Sequence, residues 1–184
     1  MFRDKSLTPA ETMRLAVLGA LTDGDTSYSD LVTEVRRFVE RIVGPSLDLL
    51  GSSLEVLRIE GLIEPVDGKG MGDNAKMRLS SVGREAFLSL MRASLRAPMN
   101  DTQKLALALK LRYLNHLDQE DQIDQLDLLL DLTQSEIARL KDLKTHEGKA
   151  DTGSIFLGEW VALEIAQAET RRDWLTKILD ALES

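Results

Sequence analysis

Apolar positions recur along the chain first at helical spacing, then briefly at strand spacing, then at helical spacing to the end. Thr8-Pro9-Ala10-Glu11 combines a capping box with proline at the first helical position, which predicts a helix start. Leu15, Leu18 and Leu21 mark its inner face, and Asp23-Gly24-Asp25 stops it. A second helix is predicted from Ser27–Ser29. It carries Leu31, Val35, Phe38 and Ile42 on one stripe, with Arg36, Arg37, Glu40 and Arg41 elsewhere, and Gly44-Pro45-Ser46 breaks it. Ser52-Ser53-Leu54-Glu55 reads as a second capping box, opening a third helix that ends at Gly61.

The period then changes. Leu62-Ile63-Glu64-Pro65-Val66 is short and strand-like, and the following turn, Asp67 to Asn74, holds three glycines. Ala75-Lys76-Met77-Arg78-Leu79 alternates, so Lys76 and Arg78 share one face of a second strand, with Lys69 at the hairpin tip. Ser80-Ser81 caps a fourth helix running to about Arg96. Ala97-Pro98-Met99-Asn100 reads as a boundary between domains at 1–96 and 97–184. Beyond it lies a leucine-rich helix, Thr102 to Leu117. A longer helix then starts at Asp118, with Ile123, Leu126, Leu130, Thr133, Ile137 and Leu140 in a heptad-like seam. After a loop from Thr145 to Ser154, a last helix, Ile155 to Leu182, holds both tryptophans. The predicted fold is mainly α. A winged helix-turn-helix domain of three helices, a two-stranded wing and a linking helix precedes an all-helical, antiparallel, coiled-coil-like dimerisation domain.

Charge changes this picture more than composition does. The net charge is −8, but residues 1–96 hold 13 Lys/Arg against 14 Asp/Glu, while residues 97–184 hold 10 against 17. The acidity sits in the second half, which leaves room for a basic face on the first. The chain has no cysteine, so disulfides, thiolate metal sites and cysteine nucleophiles are excluded. The N-terminal residues lack an apolar signal core and no apolar run reaches bilayer length, so a soluble, cytoplasmic protein without membrane contact is expected. His116 near Asp118, Glu120 and Asp121 matches no metal-ligand spacing, and Asp118 reads as a helix cap. No nucleophile elbow or phosphate-binding loop is present, and Gly68 to Gly72 fits a wing. No enzyme, metal or cofactor is expected.

Taken in order, several stretches resemble the PadR family of bacterial transcription regulators. They are Leu15-Ala16-Val17-Leu18-Gly19-Ala20-Leu21, Tyr28, Leu54, Leu57, Glu60-Gly61-Leu62-Ile63, Arg78-Leu79-Ser80-Ser81-Val82-Gly83-Arg84 and Glu169-Thr170-Arg171-Arg172-Asp173-Trp174-Leu175. The resemblance implies a homodimeric repressor that binds a pseudo-palindromic operator in double-stranded DNA and responds to a small molecule or another signal. One departure stands out. Where members of that family usually carry a Tyr-Pro pair and two basic residues, this chain has Gly51, Ser52, Glu55 and Val56. The helical arc facing outward would hold Ser52, Glu55, Val56 and Ile59, with Arg58 nearer the buried side.

Candidate DNA contacts are Ser52 and Ser53 at the start of the third helix, Tyr28, Arg36 and Arg37 beside it, and Lys69, Lys76 and Arg78 in the wing. In the last helix, Phe156, Trp160, Leu163, Gln167, Thr170, Trp174 and Ile178 follow one line. They could anchor a dimer interface or line a pocket for a small, flat aromatic effector. A competing reading is a winged-helix protein-interaction or dimerisation module without specific DNA binding, which Glu55 and the outward Val56 and Ile59 favour.

Overall fold

The structure is a computed structural model describing residues 6–44, 50–67, 72, 74–96, 99–147 and 155–184; for 50–53 and 147 it describes the backbone alone. The elements run α1 (Pro9–Ala20), β1 (Thr26–Ser27), α2 (Tyr28–Val43), α3 (Leu50–Ile59), β2 (Ile63–Pro65), β3 (Lys76–Leu79), α4 (Ser81–Arg92), α5 (Asp101–Arg112), a short 3-10 turn (Leu114–His116), α6 (Gln119–Glu147) and α7 (Ile155–Glu183). The architecture is the expected mainly helical one, with a winged helix ahead of a helical C-terminal region.

Helix starts follow local chemistry. Thr8 Oγ1 accepts from the Glu11 N–H at 3.2 Å while Glu11 Oε2 accepts from the Thr8 N–H at 2.8 Å, closing the capping box. Ser27, Ser80 and Asn100 cap α2, α4 and α5 in the same sense, and Asp118 Oδ1 accepts from the Asp121 N–H at 2.9 Å ahead of α6. The third helix departs from expectation. It is already helical at Leu50, so Ser52 and Ser53 lie inside its first turn, and Glu55 turns to Arg58 instead of closing a capping box. At its other end Gly61, at φ +73°, makes a Schellman turn. Its N–H bonds to Arg58 O and that of Leu62 to Leu57 O, at 2.9 and 2.8 Å.

The sheet has three antiparallel strands in the order β1-β3-β2, one more than the expected hairpin. Thr26 and Ser27 add to the free edge of β3, and the Tyr28 N–H continues the pairing by bonding to Ala75 O at 2.9 Å. On α2 the fully buried residues are Leu31, Val35 and Val39, while Phe38 and Ile42 are half-buried. Leu15, Leu18, Leu54, Leu57, Ile63, Met77 and Phe87 complete the core under the wing.

The first compact unit extends to Leu117, well past residue 96. Helix α4 ends at Arg92, and the chain after it runs beside the N-terminal segment, where Leu7 N–H bonds to Ser94 O at 3.2 Å. Helix α5 then packs on α1 and α2 through Leu105, Ala106 and Leu109, and the Tyr113 ring sits against Gly19. Two buried polar residues of α5 finish the joint. Gln103 Oε1 accepts from the Arg96 N–H at 2.7 Å, its Nε2 donates to Leu7 O at 3.2 Å, and Lys110 Nζ donates to Met91 O near the end of α4. The expected boundary at residue 97 therefore falls inside this unit, because α5 belongs to the winged helix by both packing and hydrogen bonding.

The second unit, Asp118–Ser184, is an antiparallel pair of long helices. Leu126, Leu130, Thr133 and Ile137 of α6 and Val161, Ile165, Ala168 and Leu175 of α7 are buried. The polar Thr133 is tolerated there because its hydroxyl donates to Leu129 O at 2.8 Å. Ion pairs Lys141–Glu169 and Glu136–Arg171, at 2.8 and 2.9 Å, link the two helices. No described helix is long and apolar enough to cross a membrane.

Candidate nucleic-acid interface

Helix α3 is seated by Leu54 and Leu57, which are buried against α1 and α2. At 100° per residue this turns Glu55, Val56 and Ile59 to the opposite side and leaves Arg58 on the flank, about 40° from Leu54; all four are partly or largely exposed. Arg58, expected nearer the buried side, lies on that flank with its side chain 40% exposed. Its Nη2 donates to Glu55 Oε1 at 2.5 Å and its Nε to Oε2 at 3.5 Å. That hydrogen bonding holds the Glu55 carboxyl below the usual carboxylate range and raises Arg58. Glu60, one residue past α3, is held by the two terminal guanidinium nitrogens of Arg14 on α1, at 2.6 and 2.7 Å. This bidentate grip fixes the end of α3 to α1.

The wing strands lie on the same unit. Lys76 and Arg78 share the exposed face of β3, and Met77 between them is buried. Register places Arg78 opposite Glu64, and Arg78 Nε reaches Glu64 Oε1 at 3.0 Å. Lys76 pairs in register with Ser27, so Lys76 and the N-terminus of α2 with Tyr28 come together at one edge of the sheet. Arg36 and Arg37 are exposed on α2 but sit two helical turns beyond Tyr28, roughly 12 Å along the axis. Lys69 and the side chains of Ser52 and Ser53 lie outside the described residues.

In the second unit the line Phe156, Trp160, Leu163, Gln167, Thr170, Trp174 and Ile178 runs along the side of α7 away from its buried residues. Phe156 is 82% exposed, Trp160 50% and Trp174 46%, while Ile178 is half-buried. Among the described residues, no group of His, Asp and Glu side chains is arranged to hold a metal ion.

A family profile of AphA-like transcriptional regulators matches residues 2–179, nearly the whole chain. The chain belongs to this family. Comparison with curated protein sequences finds no match. Similar solved structures include Bacillus subtilis PadR in complex with operator DNA, at 17% identity and TM-score 0.38, covering 92% of this chain and 98% of that one. Another is the same protein with p-coumaric acid, at 16% identity and TM-score 0.38, covering 94% and 99%. A PadR-like transcriptional regulator from Bacillus cereus is 21% identical, with TM-score 0.37, covering 93% and 98%.

In this AphA-like family member, the Glu55–Arg58 pair was not read from the sequence. Their i, i+3 spacing was the available signal. Sequence reading also missed that Arg78 and Glu64 face each other, which a register for the hairpin would have shown.

Proposed function

We propose that the protein binds a pseudo-palindromic operator in double-stranded DNA as a homodimer and represses transcription in the cytoplasm, with its affinity set by a small aromatic molecule or another signal. The observation that carries the reading is the exposed outward face of α3, on a winged helix whose sheet brings Lys76 beside Tyr28 and carries Arg78 on the same face as Lys76. A helix so presented fits the major groove, and exposed wing cations fit the adjacent phosphates. Support for the dimer comes from α7. Large apolar side chains rarely stand this exposed in a row on a monomer, and a second copy of α7 would cover them. The same tryptophans would report an aromatic effector by fluorescence quenching.

The test is fluorescence anisotropy of the purified protein on a duplex from its own promoter and on a scrambled duplex, across a salt series. Selective binding that weakens with salt, at two chains per duplex, is the expected result. Equal binding to both duplexes, or none at low salt, discards the reading.

One observation favours a second reading, a winged helix that binds protein instead of DNA. Arg14, Arg58 and Arg78 each already face a carboxylate, and Val56 and Ile59 add exposed apolar surface on α3. The same titration decides between the two.

A further inference from the structure

The exposed, described side chains of α3 concentrate their hydrogen-bonding capacity in two residues, Glu55 turned outward and Arg58 on the flank beside it. Val56 and Ile59 offer only apolar surface, so Glu55 and Arg58 remain. They stand one turn apart, joined by hydrogen bonds of 2.5 and 3.5 Å, with side chains 45% and 40% exposed. Such an exposed i, i+3 pair contributes little to folding, so stability is a poor reason for its presence.

The pairing leaves both groups with capacity to spare. An ionised carboxylate has about four lone-pair sites and a guanidinium five N–H donors. Glu55 therefore still accepts and Arg58 still donates, side by side and fixed relative to each other. The pair is also close to neutral. A lone carboxylate on this face would be repelled by phosphates, and the guanidinium cancels that repulsion.

An acceptor held beside a donor complements the edge that a C·G pair shows in the major groove, where the cytosine N4 amino group lies next to guanine O6 and N7. We propose that Glu55 and Arg58 act as one unit that reads a single C·G base pair in each half-site. Glu55 accepts from cytosine N4, and Arg58 donates to guanine O6 and N7. The inference rests on the DNA-binding reading above and adds to it the residues that set specificity.

The experiment selects duplexes from a randomised pool with the wild-type protein, then measures anisotropy for every single base-pair change in the selected site. A symmetric C·G position, preferred roughly tenfold, is expected. Glu55→Ala and Arg58→Ala should each abolish the preference at that pair, and combining them should cost nothing further there. Glu55→Gln should move the preference toward adenine, whose N6 and N7 suit an amide. Both residues are exposed, and circular dichroism checks that the variants fold. If the wild-type protein selects no sequence, the operator reading and this inference fall together. If selection is intact but the two alanine variants change affinity equally for every duplex, or act at different base pairs, only this inference falls.

Discussion

Gly83, in the first turn of α4, lies so close to Leu62 that a Cβ there would stand 1.9 Å from the Leu62 carbonyl oxygen. That oxygen also accepts from the Ser80 N–H and hydroxyl, each at 3.1 Å, so it cannot retreat without disturbing the cap of α4. Gly83→Ala should therefore lower stability by about 1–3 kcal/mol, the usual cost of overpacking, despite alanine's better helix propensity. Gly158→Ala on α7, where no atom lies within 4 Å, is the control and should be neutral or stabilising by up to about 1 kcal/mol. Urea unfolding of the two variants checks this; equal effects would mean that the close approach is unimportant.

Lys110 gives a pH dependence with a definite sign. Burial pushes its ammonium group down to about 7 from 10.5. Between those values the unfolded chain holds the proton and the folded one releases it, so stability at this position rises with pH from about 7 to about 10.5. Below pH 7 the buried charge is a standing cost. Lys110→Met should gain stability relative to wild type at pH 6 compared with pH 9, measured by urea unfolding at both. A pH-independent difference would show that the lysine is not desolvated as described.

The wing makes an asymmetric prediction. Glu64 occupies Arg78, so Glu64→Gln should release the guanidinium to phosphate, tighten DNA binding and steepen its salt slope by about one contact. The double reversal Lys76→Glu with Arg78→Glu should weaken binding on every sequence and flatten the slope. If neither change alters a salt titration, the wing does not touch DNA.

Trp160→Glu addresses assembly. With half its surface exposed in the single chain, Trp160 can be replaced without opening the α6–α7 core. Sedimentation velocity should show the wild type as a dimer and the variant as a monomer with unchanged helical content. A dimeric variant would move the interface off this stripe.

Legibility in the sequence followed the range of the interaction. The caps at Thr8, Ser27, Ser80 and Asp118 are settled within three residues, and each reads directly from its letters. Ser52–Glu55 has the same letters but the opposite outcome. The chain is already helical at Leu50, and Arg58 competes for the glutamate. Leucine content announced that α5 is buried, but composition does not say against what. The more informative residues were Gln103 and Lys110, two turns apart on an otherwise apolar face, whose polar groups bond to Arg96, Leu7 and Met91 of the winged helix. Register-dependent pairs such as Arg78–Glu64 stay invisible until the strands are aligned.

The stitching of α5 to Leu7, Met91 and Arg96 decides where this protein can be cut. A fragment ending at the proline-containing linker near residue 97 would strip the buried carbonyls of Leu7 and Met91 of their donors and uncover the face of α1 that Tyr113 fills. Chimeras that exchange reading heads between such regulators should therefore be joined after Leu117, so that each head keeps the helix that locks its two chain ends together.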